Sequence, residues 1–96
     1  MLFAIICTDR PDSLELRLSV RPAHVEYLNR HLAQLRMAGP LLINDKPAGS
    51  LILLDTATRA EAESFAAADP YAIAGLFSDV RIQPYRMVFE NGTQVA

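Results

Sequence analysis

The chain has 96 residues, 51% of them hydrophobic, with nine basic against eleven acidic side chains and a formal charge of −2. This is the composition of one globular domain over residues 1–96 with a modest core. It excludes a disordered chain and lacks the basic footprint of a nucleic-acid binder, while no apolar run approaches the ~20 residues that span a bilayer.

Leu2-Phe-Ala-Ile-Ile-Cys7 reads as a strand of apolar and β-branched residues. It has no basic flank and no small-residue cleavage site, so a signal peptide is not expected and a cytoplasmic location is. The lone Cys7 cannot form an intrachain disulfide and reads as a small core hydrophobe. Asp9 to Ser13 is a turn around Pro11, and Leu14 to Val20 a short helix. Pro22 cannot donate a helix hydrogen bond, so it is expected to restart the helix at a new first turn. From Ala23 to Met37 the helical period places Val25, Leu28, Leu32 and Leu35 on one stripe. His24 and His31 lie at its edge. Gly39-Pro40 is the expected helix stop.

Leu41 to Ile43 is a short strand, Asn44 to Gly49 a turn, and Ser50 to Asp55 the returning strand of a hairpin. Thr58-x-x-Glu61 forms a capping box for a helix to about Ala68. Asp69-Pro70 reads as the N-cap and first residue of a further short helix ending near Phe77. Val80 to Phe89 is the last strand, with Pro84 marking an edge or bulge. The tail from about residue 89 to Ala96 is expected to fray.

The order strand, helix, strand, strand, helix, strand is the βαββαβ pattern of an α+β, ferredoxin-like split βαβ fold with a four-stranded antiparallel sheet. Its helices cover one face of the sheet. Leu2–Cys7 and Leu51–Leu54 are apolar at every position, which asks for cover on both faces. The expected source of that cover is a second copy of the chain, giving a homodimer packed sheet to sheet.

The polar residues that interrupt these apolar runs carry the candidate chemistry. A buried imidazole needs a partner, and a carboxylate that holds one can make it a general base. His24 and Asp69 are the candidates. Asp69 also suits plain helix capping, but one oxygen can cap while the other accepts from an imidazole. Arg17 and Arg21, spaced i, i+4 and followed by His24, suit an anion or enolate site; a solvated charged edge explains them equally. Asp9 can pair with one of them. Ser50 at the hairpin and Tyr71 beside Asp69 complete the candidate substrate-binding set. One cysteine and two histidines make no zinc site, and no phosphate loop or dinucleotide fingerprint is present. Any catalysis is expected to need no metal or cofactor.

Taken together, Asp12-Ser-Leu-Glu-Leu-Arg-Leu-Ser-Val-Arg-Pro-Ala-His24, Ala67-Ala-Asp-Pro-Tyr-Ala-Ile-Ala-Gly-Leu-Phe77 and Val80-Arg-Ile-Gln-Pro-Tyr-Arg-Met-Val-Phe89 resemble the YCII-related family. The resemblance runs from residue 1 to about residue 89. It implies a ferredoxin-like fold that dimerises into an α/β barrel-like body. It also implies a pocket centred on a histidine–aspartate pair, which falls on His24 and Asp69. One branch of that family is similar to dehydrochlorinases acting on chlorinated hydroxyquinols. The expected function is thus a small cofactor-free enzyme in which Asp69 orients His24 as base toward a small aromatic or enolisable substrate. The arginines would meet a developing oxyanion, with Ser50 and Tyr71 positioning the substrate. The alternatives are a non-catalytic module that binds a small anion and a purely structural dimer.

Overall fold

In the computed structural model, which describes residues 1–96, the first strand, β1 (Leu2–Asp9), turns Phe3, Ile5 and Cys7 into the core. Leu2, Ala4 and Ile6 point to the opposite face and are half-buried. The chain continues through α1 (Leu14–Asn29), β2 (Leu35–Ile43), β3 (Lys46–Asp55), α2 (Arg59–Ala68), α3 (Pro70–Ile73) and β4 (Phe77–Tyr85). The sheet order is β2-β3-β1-β4, and every neighbouring pair is antiparallel. This is the ferredoxin-like α+β arrangement.

Between sheet and helices, Phe3, Ile5, Cys7, Ile52 and Leu54 pack with Tyr27 of α1 and with Ala62 and Phe65 of α2. Tyr27 satisfies its buried hydroxyl by donating to the Phe65 carbonyl at 2.9 Å. Burial pushes the Cys7 thiol up to about 12, so it remains a protonated, inert core group. At α2 the capping box forms with one change of partner. Thr58 Oγ1 accepts from the Glu61 N–H at 3.2 Å, and the Glu61 carboxylate accepts from the Ala57 N–H rather than from Thr58.

Three expectations need correction. The first concerns α1, which runs unbroken through Pro22. Proline leaves the Leu18 carbonyl without its helix donor, but Leu18 and Pro22 both lie on the exposed side, where the carbonyl is open to solvent and the loss is tolerated.

The second concerns where that helix stops. It ends at Asn29, not Met37. His31 Nδ1 lies 2.8 Å from the Tyr27 carbonyl and its ring packs on Tyr27 and Phe65, so it closes the last turn. Leu35, Met37, Gly39 and Pro40 then belong to edge strand β2, with Leu35 opposite Leu54 and Pro40 opposite Ser50. The connection to β3 is only Asn44-Asp45, both at positive φ (52° and 63°), as a two-residue type I′ hairpin requires.

The third concerns the tail. Phe89–Glu90 (β5) and Thr93–Gln94 (β6) pair as a second hairpin across Asn91-Gly92, again both at positive φ. It lies over the sheet face turned away from the helices. Met87 and Phe89 from this segment, with Ala4, Met37, Leu51 and Leu53 from the sheet, enclose a cavity of about 230 Å³. The chain itself therefore supplies part of the cover expected from a second copy.

Candidate active site

The inward face of α1 carries charge where a helix usually carries leucine. Arg17 and His24 stand about two turns apart and Tyr27 about one turn beyond His24, so they share one face, and all three are buried. Each polar group on this face has a specific partner.

Asp69 sits between α2 and α3 with extended backbone (φ −60°, ψ 128°). Proline at the next position favours that conformation and begins the following turn. Asp69 Oδ1 accepts the Tyr71 backbone N–H at 2.9 Å and also lies 2.9 Å from His24 Nδ1. One oxygen thus serves both helix cap and imidazole, where the sequence suggests one for each. Asp69 is only 2% exposed and His24 8%. A carboxylate accepts, so Nδ1 carries the hydrogen, and in the neutral ring Nε2 keeps the lone pair. Nε2 makes no hydrogen bond within the protein and is not sealed from solvent.

The imidazole is also held face-on. The Tyr71 ring stacks on it with centroids 4.0 Å apart and planes 20° from parallel. Arg17 Cζ lies 4.6 Å from the centroid of the same Tyr71 ring. Asp69-Pro70-Tyr71 is therefore a clamp, with the carboxylate gripping one ring nitrogen and the aromatic ring covering a face. Burial raises the Tyr71 phenol above its ordinary value, with Arg17 and Arg21 pulling it partly back, so the hydroxyl remains a donor. That hydroxyl has no partner within the protein.

The two arginines divide their roles. Arg17, 4% exposed, donates through Nη1 to both Asp9 oxygens at 2.9 and 3.1 Å. Through Nη2 it donates to the Gly49 carbonyl at 2.8 Å and to Ser50 Oγ at 2.6 Å. Gly49 must be glycine here, because a Cβ would drive into the Cys7 carbonyl oxygen of the neighbouring strand. Burial raises the Asp9 carboxyl above its ordinary value, while the Arg17 charge and hydrogen bonds draw it back. Ser50 is buried and accepts from Arg17, and it is not among the residues that line the cavity beside His24, so the structure places it as an anchor for Arg17. Arg21, one turn further along α1, is exposed and has no ion-pair partner in the chain.

His24, Arg17, Arg21 and Tyr71 meet at a cavity of about 220 Å³ between α1 and the β2–β3 hairpin. Its remaining walls are Leu18, Val25 and Leu28 from the helix, Ala38, Gly39 and Pro40 from β2, and Pro47 from β3. Pro40 and Pro47 were legible in the sequence only as breakers, and Val25 and Leu28 only as core. No signal in the chain marks them as pocket walls, since strand pairing alone brings the two prolines to α1. No group of three His, Cys, Asp or Glu side chains is placed to hold a metal ion.

Against this geometry the comparisons with known proteins are consistent. The model of the YCII-related domain matches residues 1–86. Protein YciI of Escherichia coli O6:H1 is 39% identical, with 93% of this chain and 100% of that protein covered. An uncharacterised protein of Haemophilus influenzae is 34% identical over the same shares. Among solved structures, 5-chloro-2-hydroxyhydroquinone dehydrochlorinase (TftG) from Burkholderia phenoliruptrix AC1100, in complex with 2,5-dihydroxybenzoquinone, superposes with a TM-score of 0.84. It is 33% identical, with 90% of this chain and 94% of that one covered. An antibiotic biosynthesis monooxygenase, at TM-score 0.53 and 14% identity, shares the fold alone. With a family model spanning most of the chain and relatives above one-third identity along nearly all of it, this protein belongs to the YCII-related domain family.

Proposed function

We propose that the protein is a cofactor-free enzyme in which His24 is the general base and Asp69 the residue that orients it. The observation that carries this reading is the state of the imidazole. Nδ1 is held by a buried carboxylate, while Nε2 is unpartnered on a residue that lines an apolar-walled cavity. A base needs a free lone pair at the substrate and a fixed ring orientation, and the Asp69–Tyr71 clamp meets both needs. The charge of Asp69 also stabilises the imidazolium formed by proton transfer.

The reaction class is elimination or tautomerisation. His24 Nε2 takes a proton from a hydroxyl or an acidified carbon of the substrate. The released electron pair forms a new C=O or C=C bond. In an elimination a halide departs with its bonding pair, so the substrate loses H⁺ and X⁻ and no oxidant or reductant is consumed. The dehydrochlorinase neighbour supports this class. Incubating the purified protein with 5-chloro-2-hydroxyhydroquinone and with small enolisable ketones in D₂O tests it. Chloride release or deuterium uptake above the uncatalysed rate is the expected result. Neither signal, from a folded protein across both substrate types, sinks the proposal.

We also propose that the protein works as a homodimer through the face of the sheet remote from the helices. The C-terminal hairpin covers only part of that face, and its own Phe89, with Met37 and Tyr85 of the sheet, stays 62%, 55% and 47% exposed respectively. A monomer that left such a cluster open would carry an association-prone patch. Light scattering at micromolar concentration should return twice the chain mass of 10.6 kDa. Replacing Phe89 and Met37 with glutamate should return the monomer, and a wild-type monomer refutes the assembly.

A further inference from the structure

The cavity beside His24 has an unusual charge inventory. Two guanidiniums and an imidazole line it, and no aspartate or glutamate does. The charge of Arg17 is already met by the bidentate Asp9 carboxylate. That leaves Arg21 as the one lining cation without a counter-charge. A second, independent feature is Tyr71, which stacks on His24 and also lines the cavity. Tyr71 is 98% buried, and its hydroxyl makes no hydrogen bond within the protein. That hydroxyl is not sealed from solvent and belongs to a residue that lines the cavity, so it is a donor left free for an acceptor bound there.

From these we infer that the cavity selects a small molecule about the size of one ring that carries a single negatively charged oxygen group, held by Arg21 and the Tyr71 hydroxyl beside His24. The inference rests on the reading of this cavity as a substrate site. At about 220 Å³ the space is below the ~300–1,000 Å³ of pockets that take drug-sized ligands. Val25, Leu28, Pro40 and Pro47 give it apolar walls that suit a flat hydrocarbon body. Arg21 and His24 are i and i+3 on α1, with Cβ atoms about 5–6 Å apart. An anionic group seated on Arg21 therefore leaves the adjoining part of a ring within reach of the base. A cation in this space would meet Arg21 with no carboxylate to offset it.

Single-ring probes that differ in charge test this directly. Benzoate, benzamide and benzamidine have nearly the same shape and are anionic, neutral and cationic. Adding 4-nitrophenolate separates an ionised phenol from a carboxylate as the group recognised. Binding is read by NMR from the His24 and Tyr71 ring signals. We expect benzoate, 4-nitrophenolate or both to bind at least tenfold more tightly than benzamide, and benzamidine not to bind. Arg21→Gln, an exposed position whose change leaves the fold intact by thermal melting, should erase that preference. Arg21→Lys should keep most of it. Equal affinities across the charge series, no binding by any probe, or a preference that survives Arg21→Gln each overturns the inference. The readout needs no turnover, so an inactive base with charge selection intact refutes only the enzyme reading. Turnover without charge selection refutes only this one.

Discussion

On the proposed mechanism, replacing His24 with alanine should lower the rate of proton abstraction about 10²–10⁴-fold, the usual contribution of a positioned general base. The fold survives the change, since the ring stands at the edge of a cavity rather than at the centre of the core. Asp69 gives a graded result because its Oδ1 has two jobs. Asp69→Asn keeps an oxygen for the Tyr71 N–H and removes the charge behind the imidazole. The loss is that of a charge-assisted hydrogen bond, roughly 1.5–3 kcal/mol, or about 10–100-fold in rate. Asp69→Ala loses the cap as well, which costs about 1 kcal/mol of stability in addition. Asparagine should therefore separate chemistry from folding, and alanine should not.

A spectroscopic readout accompanies the rates. The His24 Nδ1 proton, held against a carboxylate that is 2% exposed, should be visible and slow to exchange in the wild type. It should be lost or shifted strongly in Asp69→Asn. Equal turnover in wild type and a folded His24→Ala variant refutes the mechanism. A His24 ring signal indifferent to Asp69 refutes the orienting role.

What the sequence discloses about this molecule divides by the range of the interaction. Local chemistry is legible. Asp69-Pro70 reads as a cap and a first turn because both functions lie within two residues of each other, and Asp69 does accept the Tyr71 N–H. Thr58 and Glu61 read the same way. The end of α1 is not legible, because the period of Leu28, Leu32 and Leu35 suits a helix as well as any alternative. Leu35 finds its cover opposite Leu54 in a strand instead, and nothing near it in the chain reveals that partner. The same limit hides the C-terminal hairpin, whose apolar neighbours around the shared cavity, Ala4, Leu51 and Leu53, are far away in sequence.

For the site, the pairing of His24 with Asp69 was readable, and the division of roles among Arg17, Arg21 and Ser50 was not. Arg17 and Ser50 both looked like ligand contacts. They spend their hydrogen-bonding capacity on each other and on Asp9, a closure that depends on three strand and helix positions brought together by the sheet. Arg21 has the same residue type one turn on and is left free, because the helix turns it out of the interior.

Removing the Arg17 guanidinium should be among the most damaging single changes to stability. In Arg17→Met the apolar volume is largely kept, but the Asp9 carboxylate stays buried without its cation. Side-chain exposures of 4% and 6% place this pair in the range where losing one partner costs about 3–5 kcal/mol. For a chain of this size each kcal/mol lowers the melting temperature by about 4–8 °C. Ser50 Oγ and the Gly49 carbonyl also lose their donor, so nothing nearby compensates. The sign of the pH dependence follows from Asp9. Burial already raises its carboxyl in the folded state, and Arg17 opposes that rise. Without Arg17 the folded-state value climbs further above the unfolded one. A group raised in this way favours folding below its unfolded value and loses that contribution as pH rises through the folded value. The variant should therefore be most destabilised near neutral and alkaline pH, and the gap to wild type should narrow toward acid. Urea unfolding of both proteins at about pH 8 and about pH 4.5 measures it. A pH-independent gap, or a loss below about 1 kcal/mol at pH 8, shows that the Asp9 carboxylate does not depend on Arg17. The double variant Asp9→Asn/Arg17→Met removes both charges together and should recover part of the loss, because its remaining defect is an unpaired amide rather than a buried ion.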